Sequence, residues 1–248
     1  MFNLIKYDFK SKSKVLLSLG VLFIIENIYV ILKSKENFQM NELLFVNMIF
    51  MVLIFISFSF FMNLISFRNH LSPKPGYMIF MANVSRKKYI LTKIFTFFIE
   101  SFVIETFAMG LFLIELKILN IDLEVFYLIR NIQGVNNSAF FIQIFKIISY
   151  LSLQYLTLIT IFMLAITIRN FLIKDIKFKG LITFIIANIL FFLRGYVYRI
   201  LNVGFYGKFN IGDNVFSTVS TTMIFTDILY LVIIVYALIY LIERKLSI

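Results

Sequence analysis

The sequence predicts an all-α integral membrane protein, a single membrane domain (residues 1–248) with six transmembrane helices. Three observations lead to this prediction. Hydrophobic residues make up 61% of the chain and charged residues only 15%, whereas soluble domains are roughly half apolar and a quarter charged. Six apolar runs are long enough to cross a bilayer. Lysine and arginine collect at the ends of those runs, as they do in membrane proteins of fixed orientation.

The composition also excludes several kinds of site. The chain has no cysteine, which excludes disulfides, thiolate metal sites and thiol nucleophiles. His70 is the one histidine; because zinc and iron sites need several ligands, it is interpreted as a solvated loop residue. The net charge of +11 would be consistent with binding to nucleic acid. However, the positive residues flank apolar runs instead of covering one soluble face, so no nucleic-acid partner is expected.

Residues 1–14 form the first predicted element. Phe2, Ile5 and Phe9 recur at helical spacing and the lysines fall mostly elsewhere, which is typical of an amphipathic helix lying on the membrane surface. The segment also resembles the charged start of a signal peptide. No small-residue cleavage site follows the apolar run, so we expect the segment to be retained.

The six spans are assigned by length and lack of charge. The first, with eighteen residues, reaches roughly 27 Å, which is just enough for a hydrocarbon core of about 30 Å. The second has twenty-five residues without a charge and is the clearest. The predicted spans are residues 15–32, 43–67, 94–116, 139–168, 181–200 and 222–242.

The orientation follows from the positive residues in the connections. The amino terminus, the second and fourth loops and the carboxyl tail hold sixteen lysines and arginines, against five in the other three loops. Positive residues stay on the cytosolic side, so both termini are predicted to face the cytosol, with the protein in the cell membrane. Six spans satisfy this requirement.

Residues 201–220 separate the last two spans on the predicted outer side. Three glycines interrupt an apolar stretch that includes Phe205 and Tyr206. Lipid would leave such a broken backbone unsatisfied, so the segment is either a re-entrant hairpin shielded by protein or an ordinary amphipathic outer loop.

Charged residues inside the spans are costly in lipid and are expected to face protein or water. Glu26, Glu105 and Arg194, together with Phe205 and Tyr206, are the candidate residues of a cavity or gate. Alternatively, Glu105 pairs between helices and Arg194 extends to the headgroups. The charged residues within or at the end of spans are Glu26, Glu100, Glu105, Lys146, Arg194 and Asp227.

Residues 68–93 are the long polar interruption of the first half, predicted to lie in the cytosol. Pro73 and Pro75 stop the preceding helix, and Gly76 supplies a turn. An apolar patch follows that is too short to span a membrane and too apolar to stand free in the cytosol. It either fits a socket in a partner protein or lies on the inner leaflet. The candidate contact residues are Gly76, Tyr77, Met78, Ile79, Phe80 and Met81, with Arg86, Lys87 and Lys88 after them.

The chain lacks the sequence signatures of several enzymes. There is no phosphate-binding G-x-x-x-x-G-K-[ST] loop, no serine with a partnering histidine and no paired-histidine helix. We therefore expect a protein that is not itself an enzyme and that carries no cofactor of its own.

The loop residues G-Y-M-I-F-M-A-N-V-S-R-K-K-Y-I-L-T-K, the tail Y-L-I-E-R-K-L-S-I and the order of helices resemble the permease subunits of ABC exporters of the ABC-2 type. In that family the loop commonly reads G-Y-x-x-x-x-x-P-[VI]-S-R-x-K, with a following lysine. This chain has asparagine, Asn83, where the family often has proline. The residues that match are Gly76, Tyr77, Val84, Ser85, Arg86, Lys88 and Lys93.

The resemblance implies a coupling helix in the loop that sits in a cleft of a separate ATP-binding subunit, where ATP and Mg²⁺ would bind. It also implies a connecting helix at residues 1–14, a second cytosolic contact near residues 170–179 and a re-entrant hairpin at residues 201–220. Two permeases, identical or different, would assemble with two ATPases. Small permeases of this kind often export amphipathic peptides such as bacteriocins and peptide toxins, or confer immunity to them.

Three hypotheses follow. The first is an ATP-driven exporter of hydrophobic or amphipathic peptides, with a cavity lined by the phenylalanine-rich second and fifth spans. The second is an ion-coupled carrier or channel that uses Glu26 and Glu105; the absence of an internal repeat disfavours it. The third, a membrane-anchored assembly or sensor protein, lacks a soluble domain to do the sensing.

Overall fold

The computed structural model of the protein describes residues 2–34, 41–71, 85–118, 137–172, 178–200 and 221–246. Each helix in these residues contains a stretch long and apolar enough to cross a membrane, which confirms the all-helical class and the six apolar helices. The helices are α1 (Phe2–Ser34), α2 (Asn41–His70), α3 (Arg86–Ile118), α4 (Asn137–Leu172), α5 (Lys179–Ile200) and α6 (Thr221–Leu246).

Each predicted span lies inside one helix, but α1 differs from the predicted pattern at its start. The expected surface helix and the first span form one continuous helix of 33 residues, about 50 Å long. The charged segment does not break the helix because Lys12 pairs with Asp8 one turn earlier. That residues 1–14 lie on a membrane surface stays a prediction.

Two predicted features lie outside the described residues. These are the loop residues 76–81, expected to form the coupling patch, and residues 201–220, expected to form the outer hairpin.

Ser85 explains why α3 begins where it does. Its hydroxyl oxygen accepts a hydrogen bond from the backbone N–H of Lys88 at 3.3 Å, and its carbonyl accepts one from the N–H of Tyr89 at 3.0 Å. Both bonds are those of a helix N-cap, in which serine is strongly favoured.

The predicted single membrane domain divides into two compact units. The amino-terminal unit comprises Phe2–Met62 and Ile99–Ser149, and the carboxyl-terminal unit comprises Asn63–Phe98 and Tyr150–Ile248. The helices α2, α3 and α4 are each shared between the two units.

Aromatic packing holds the amino-terminal unit together. The ring of Phe23 on α1 lies 6.2 Å from that of Phe107 on α3, and Phe102 on α3 meets Phe145 on α4 edge to face at 6.0 Å. Such arrangements add to the stabilisation that burial provides.

The carboxyl-terminal unit is organised around α4. Its apolar stretch is 67% buried, because a helix that is apolar on all sides packs best at a centre. Thr157, Thr160 and Thr167 donate their hydroxyls to backbone carbonyls within α4 itself, so no polar group is left unsatisfied by their burial. In contrast, α5 and α6 leave many large apolar side chains exposed, as lipid contact allows.

Candidate functional site

The first candidate site is a buried polar cluster in the carboxyl-terminal unit, here called the Arg194 cluster (Gln154, Arg194 and Asp227). Arg194 on α5 donates to Oδ1 of Asp227 on α6 from Nη2 at 2.6 Å and from Nε at 3.1 Å. Gln154 on α4 donates its amide N–H to Asp227 Oδ2, and its oxygen accepts a hydrogen bond from Arg194. Three helices therefore meet at one network.

Burial makes the Arg194 cluster energetically important. The side chain of Asp227 is fully buried and that of Arg194 is 13% exposed. The Arg194 guanidinium also lies 5.5 Å from the ring centre of Tyr198, within the range of a cation–π contact. Next to this network, the hydroxyl of Tyr230 donates to the carbonyl of Leu190 at 2.6 Å, which further joins α6 to α5.

The second candidate site is a buried cluster in the amino-terminal unit, here called the Lys12 cluster (Asp8, Lys12, Ser59 and Glu100). Lys12 Nζ lies 3.1 Å from Asp8 Oδ2 and 3.2 Å from Glu100 Oε2. Ser59 on α2 donates to Glu100 Oε1 at 2.7 Å. The side chains of Lys12 and Glu100 are each only 2% exposed, so α1, α2 and α3 meet at a buried charge network.

Both clusters can link helices, and in each a cation faces a carboxylate. Removing one partner of a buried ion pair typically costs several kcal/mol, because the other charge remains buried. Each network therefore holds its helices together at one level. Among the residues that the structure describes, no three histidine, aspartate or glutamate side chains come together as a metal site would require.

The predicted cavity residues fall in different places. Glu26 on α1 is partly exposed and Glu105 on α3 is 5% exposed; both belong to the amino-terminal unit. Arg194 belongs to the carboxyl-terminal unit and pairs with Asp227. Phe205 and Tyr206 lie outside the described residues.

The basic residues after the predicted coupling patch open α3. Lys87 and Lys88 are exposed in its first turn, where they are accessible to a partner or to headgroups. The structure describes the backbone of Arg86 as helical and not its side chain. The contact role of these three residues stays a prediction.

An open groove of about 720 Å³ runs along α5. The described residues that line it include Phe191, Phe192, Tyr196 and Arg199. That the fifth span lines a translocation cavity stays a prediction. A much smaller apolar cavity of about 10 Å³ in the amino-terminal unit lies between Phe23, Phe55 and Phe107.

Sequence reasoning missed four members of the clusters. Gln154 and Ser59 carry no charge and stand in apolar runs, so nothing marked them before their contacts were known. Asp8 and Lys12 were assigned to a membrane surface, although their spacing of four residues is a signal of helical pairing.

Comparison of the chain with protein-family models, with curated proteins and with solved structures found no match in any of the three.

Proposed function

We propose that the chain is the transmembrane subunit of an ABC-2 type exporter that moves hydrophobic or amphipathic peptides out of the cell or its membrane. The observation that carries this proposal is the sequence of residues 68–93, from the end of α2 to the start of α3. It joins two apolar helices and bears the residues G-Y and V-S-R-K-K at the spacing of the family's coupling loop. In this proposal, ATP and Mg²⁺ bind a separate subunit, and a second permease completes the transporter.

The Lys12 cluster supports a route for the coupling movement. The helix α3 begins at Arg86, directly after the loop, and its Glu100 bonds to Lys12 of α1. Closure of the ATP-binding subunits would move the loop and α3, and the buried ion pair would carry α1 with them. An ion pair serves this purpose because its separation inside the protein costs several kcal/mol.

The exposed aromatic face of α5 supports the substrate class. Phe184, Phe192 and Tyr196 are 60%, 79% and 61% exposed. Aromatic side chains accept varied apolar partners with little directional demand, which suits peptides of differing sequence. The same face also suits contact with lipid or with a second permease.

An ion-coupled carrier is the alternative function. Its support is the presence of Glu26 and Glu105 in apolar helices, where carboxylates often act in transport. The carrier predicts transport driven by an ion gradient without ATP, which E26Q and E105Q would abolish.

Purification of the tagged full-length chain from its native membrane tests the exporter. We expect an ATPase subunit to copurify, and its ATP turnover in proteoliposomes to rise with amphipathic peptide. Y77D and F80D should uncouple the two processes, so that ATP is hydrolysed without peptide export. The conservative Y77F and F80L should preserve coupling. Gradient-driven transport without an ATPase, or unchanged coupling in both charged variants, would contradict the proposal.

A further inference from the structure

Arg169, in the last turn of α4, is a buried cation, and its hydrogen-bond partners among the described residues are all neutral. The residue is 7% exposed. Its Nη1 donates to Thr183 Oγ1 at 3.2 Å and to the Lys179 carbonyl at 3.4 Å. Its Nε donates to Asn170 Oδ1 at 3.1 Å, and Nη2 donates to the same oxygen. A guanidinium has five N–H donors, so these four bonds leave one donor for another acceptor.

The charges around Arg169 add to its positive potential. Arg68, exposed at the end of α2, is close enough for the two positive charges to repel. The described part of the carboxyl-terminal unit contains only two acids, Asp227 and Glu243. Asp227 pairs with Arg194, and neither acid forms an ion pair with Arg169 or Arg68. A buried charge without an opposite charge is costly, so a counter-anion is expected at this place.

We propose that Arg169 and Arg68 form a binding site for the phosphate group of an anionic membrane lipid. The position favours this ligand, because the two arginines lie in the last turns of α2 and α4, where the apolar stretches end. In the predicted orientation this is the cytosolic leaflet, and basic groups between helices on that side bind anionic headgroups. The exposed Arg68 meets the phosphate first, and the buried Arg169 supplies the fixed charge. The inference does not depend on the exporter assignment.

The probe is phosphatidylglycerol, whose phosphate diester carries a net negative charge. Its affinity for the purified full-length protein in neutral detergent micelles is measured by native mass spectrometry and by the shift in melting temperature. Phosphatidylcholine provides the same phosphate without net charge, and inorganic phosphate provides the anion without the lipid. Neither ATP nor a partner subunit is needed, so the outcome is separate from any test of export.

We expect phosphatidylglycerol to bind more tightly than phosphatidylcholine, and R68Q to weaken that binding about fivefold, the effect of roughly one interfacial charge. R169Q should weaken binding at least as much, and R169K should retain most of it. R68Q keeps the test informative if R169Q does not fold, because Arg68 is exposed. The matched control is K33Q, which removes an exposed cation at the end of α1 and should leave binding unchanged.

Three results would overturn the proposal. Equal binding of phosphatidylglycerol by the wild type and R68Q would exclude the arginine pair. Full competition by millimolar inorganic phosphate would assign the site to a free anion. A D175N variant that is destabilised as much as R169Q, with no response to lipid, would identify the counter-ion as Asp175 in the loop of residues 173–177.

Discussion

Arg194 and Asp227 join α5 to α6 through an ion pair, with 2.6 Å between Nη2 and Oδ1. The aspartate is fully buried, and Gln154 of α4 bonds to both partners. The pair and Gln154 therefore fix the registry of three helices at one level.

Replacing Asp227 with leucine should destabilise the protein by about 3 to 5 kcal/mol, because Arg194 would stay buried without its counter-charge. The double variant R194M/D227L should recover most of this loss, since an apolar pair can replace a buried ion pair. The melting temperature in detergent measures both effects. As a control, R199M on the exposed side of α5 should change stability by less than about 0.5 kcal/mol. A D227L protein as stable as the wild type would show that the ion pair does not hold the helices.

Replacing Lys12 with methionine should destabilise the amino-terminal unit by about 3 to 5 kcal/mol, because Asp8 and Glu100 would lose their shared cation. A double-mutant cycle with E100Q should give a coupling energy of about 1 to 3 kcal/mol, as for residues in one network. The matched control is K10M, because Lys10 lies on the same helix and is exposed. Additive effects of K12M and E100Q would mean that the two residues do not act together.

Ser85→Ala should cost about 1 kcal/mol of stability, since the first turn of α3 would lose its capping oxygen. S85D should retain the cap and the stability. S13A is a suitable comparison, because the Ser13 hydroxyl only bonds within α1 and its removal should be neutral or slightly stabilising. Thermal unfolding of the three variants checks this prediction, and an S85A protein with wild-type stability would contradict it.

The absence of cysteine allows a direct test of orientation with single-cysteine variants of the otherwise native chain. Lys33 and Lys88 are both exposed, at the end of α1 and the start of α3. A membrane-impermeant maleimide should label K33C in intact cells and K88C only after the cells are opened. The reverse pattern would mean that the loop of residues 68–93 faces outward, and the exporter proposal would then fail.

The apolar helices were predictable because lipid imposes a simple rule: about twenty apolar residues make a span, and length and composition alone identify it. The partners of the buried charges were harder to predict from the sequence. Arg194 and Asp227 stand thirty-three positions apart, and nothing in either local pattern specifies that the two residues meet. Gln154 is harder still to predict, because a neutral amide in an apolar run carries no signal until its neighbours are known.

The continuity of α1 was missed because four lysines in residues 1–14 suggested a headgroup environment. One of these lysines, Lys12, is instead neutralised by carboxylates inside the protein.

The length of α1 gives it the geometry of a lever. Lys12 is anchored near one end, and Ser34 lies twenty-two residues farther along, about 33 Å away. A rotation of about 10° around that anchor would displace the far tip by about 6 Å. That is more than the diameter of a water molecule, so α1 would amplify a small rotation at the ion pair into a much larger displacement at its far end.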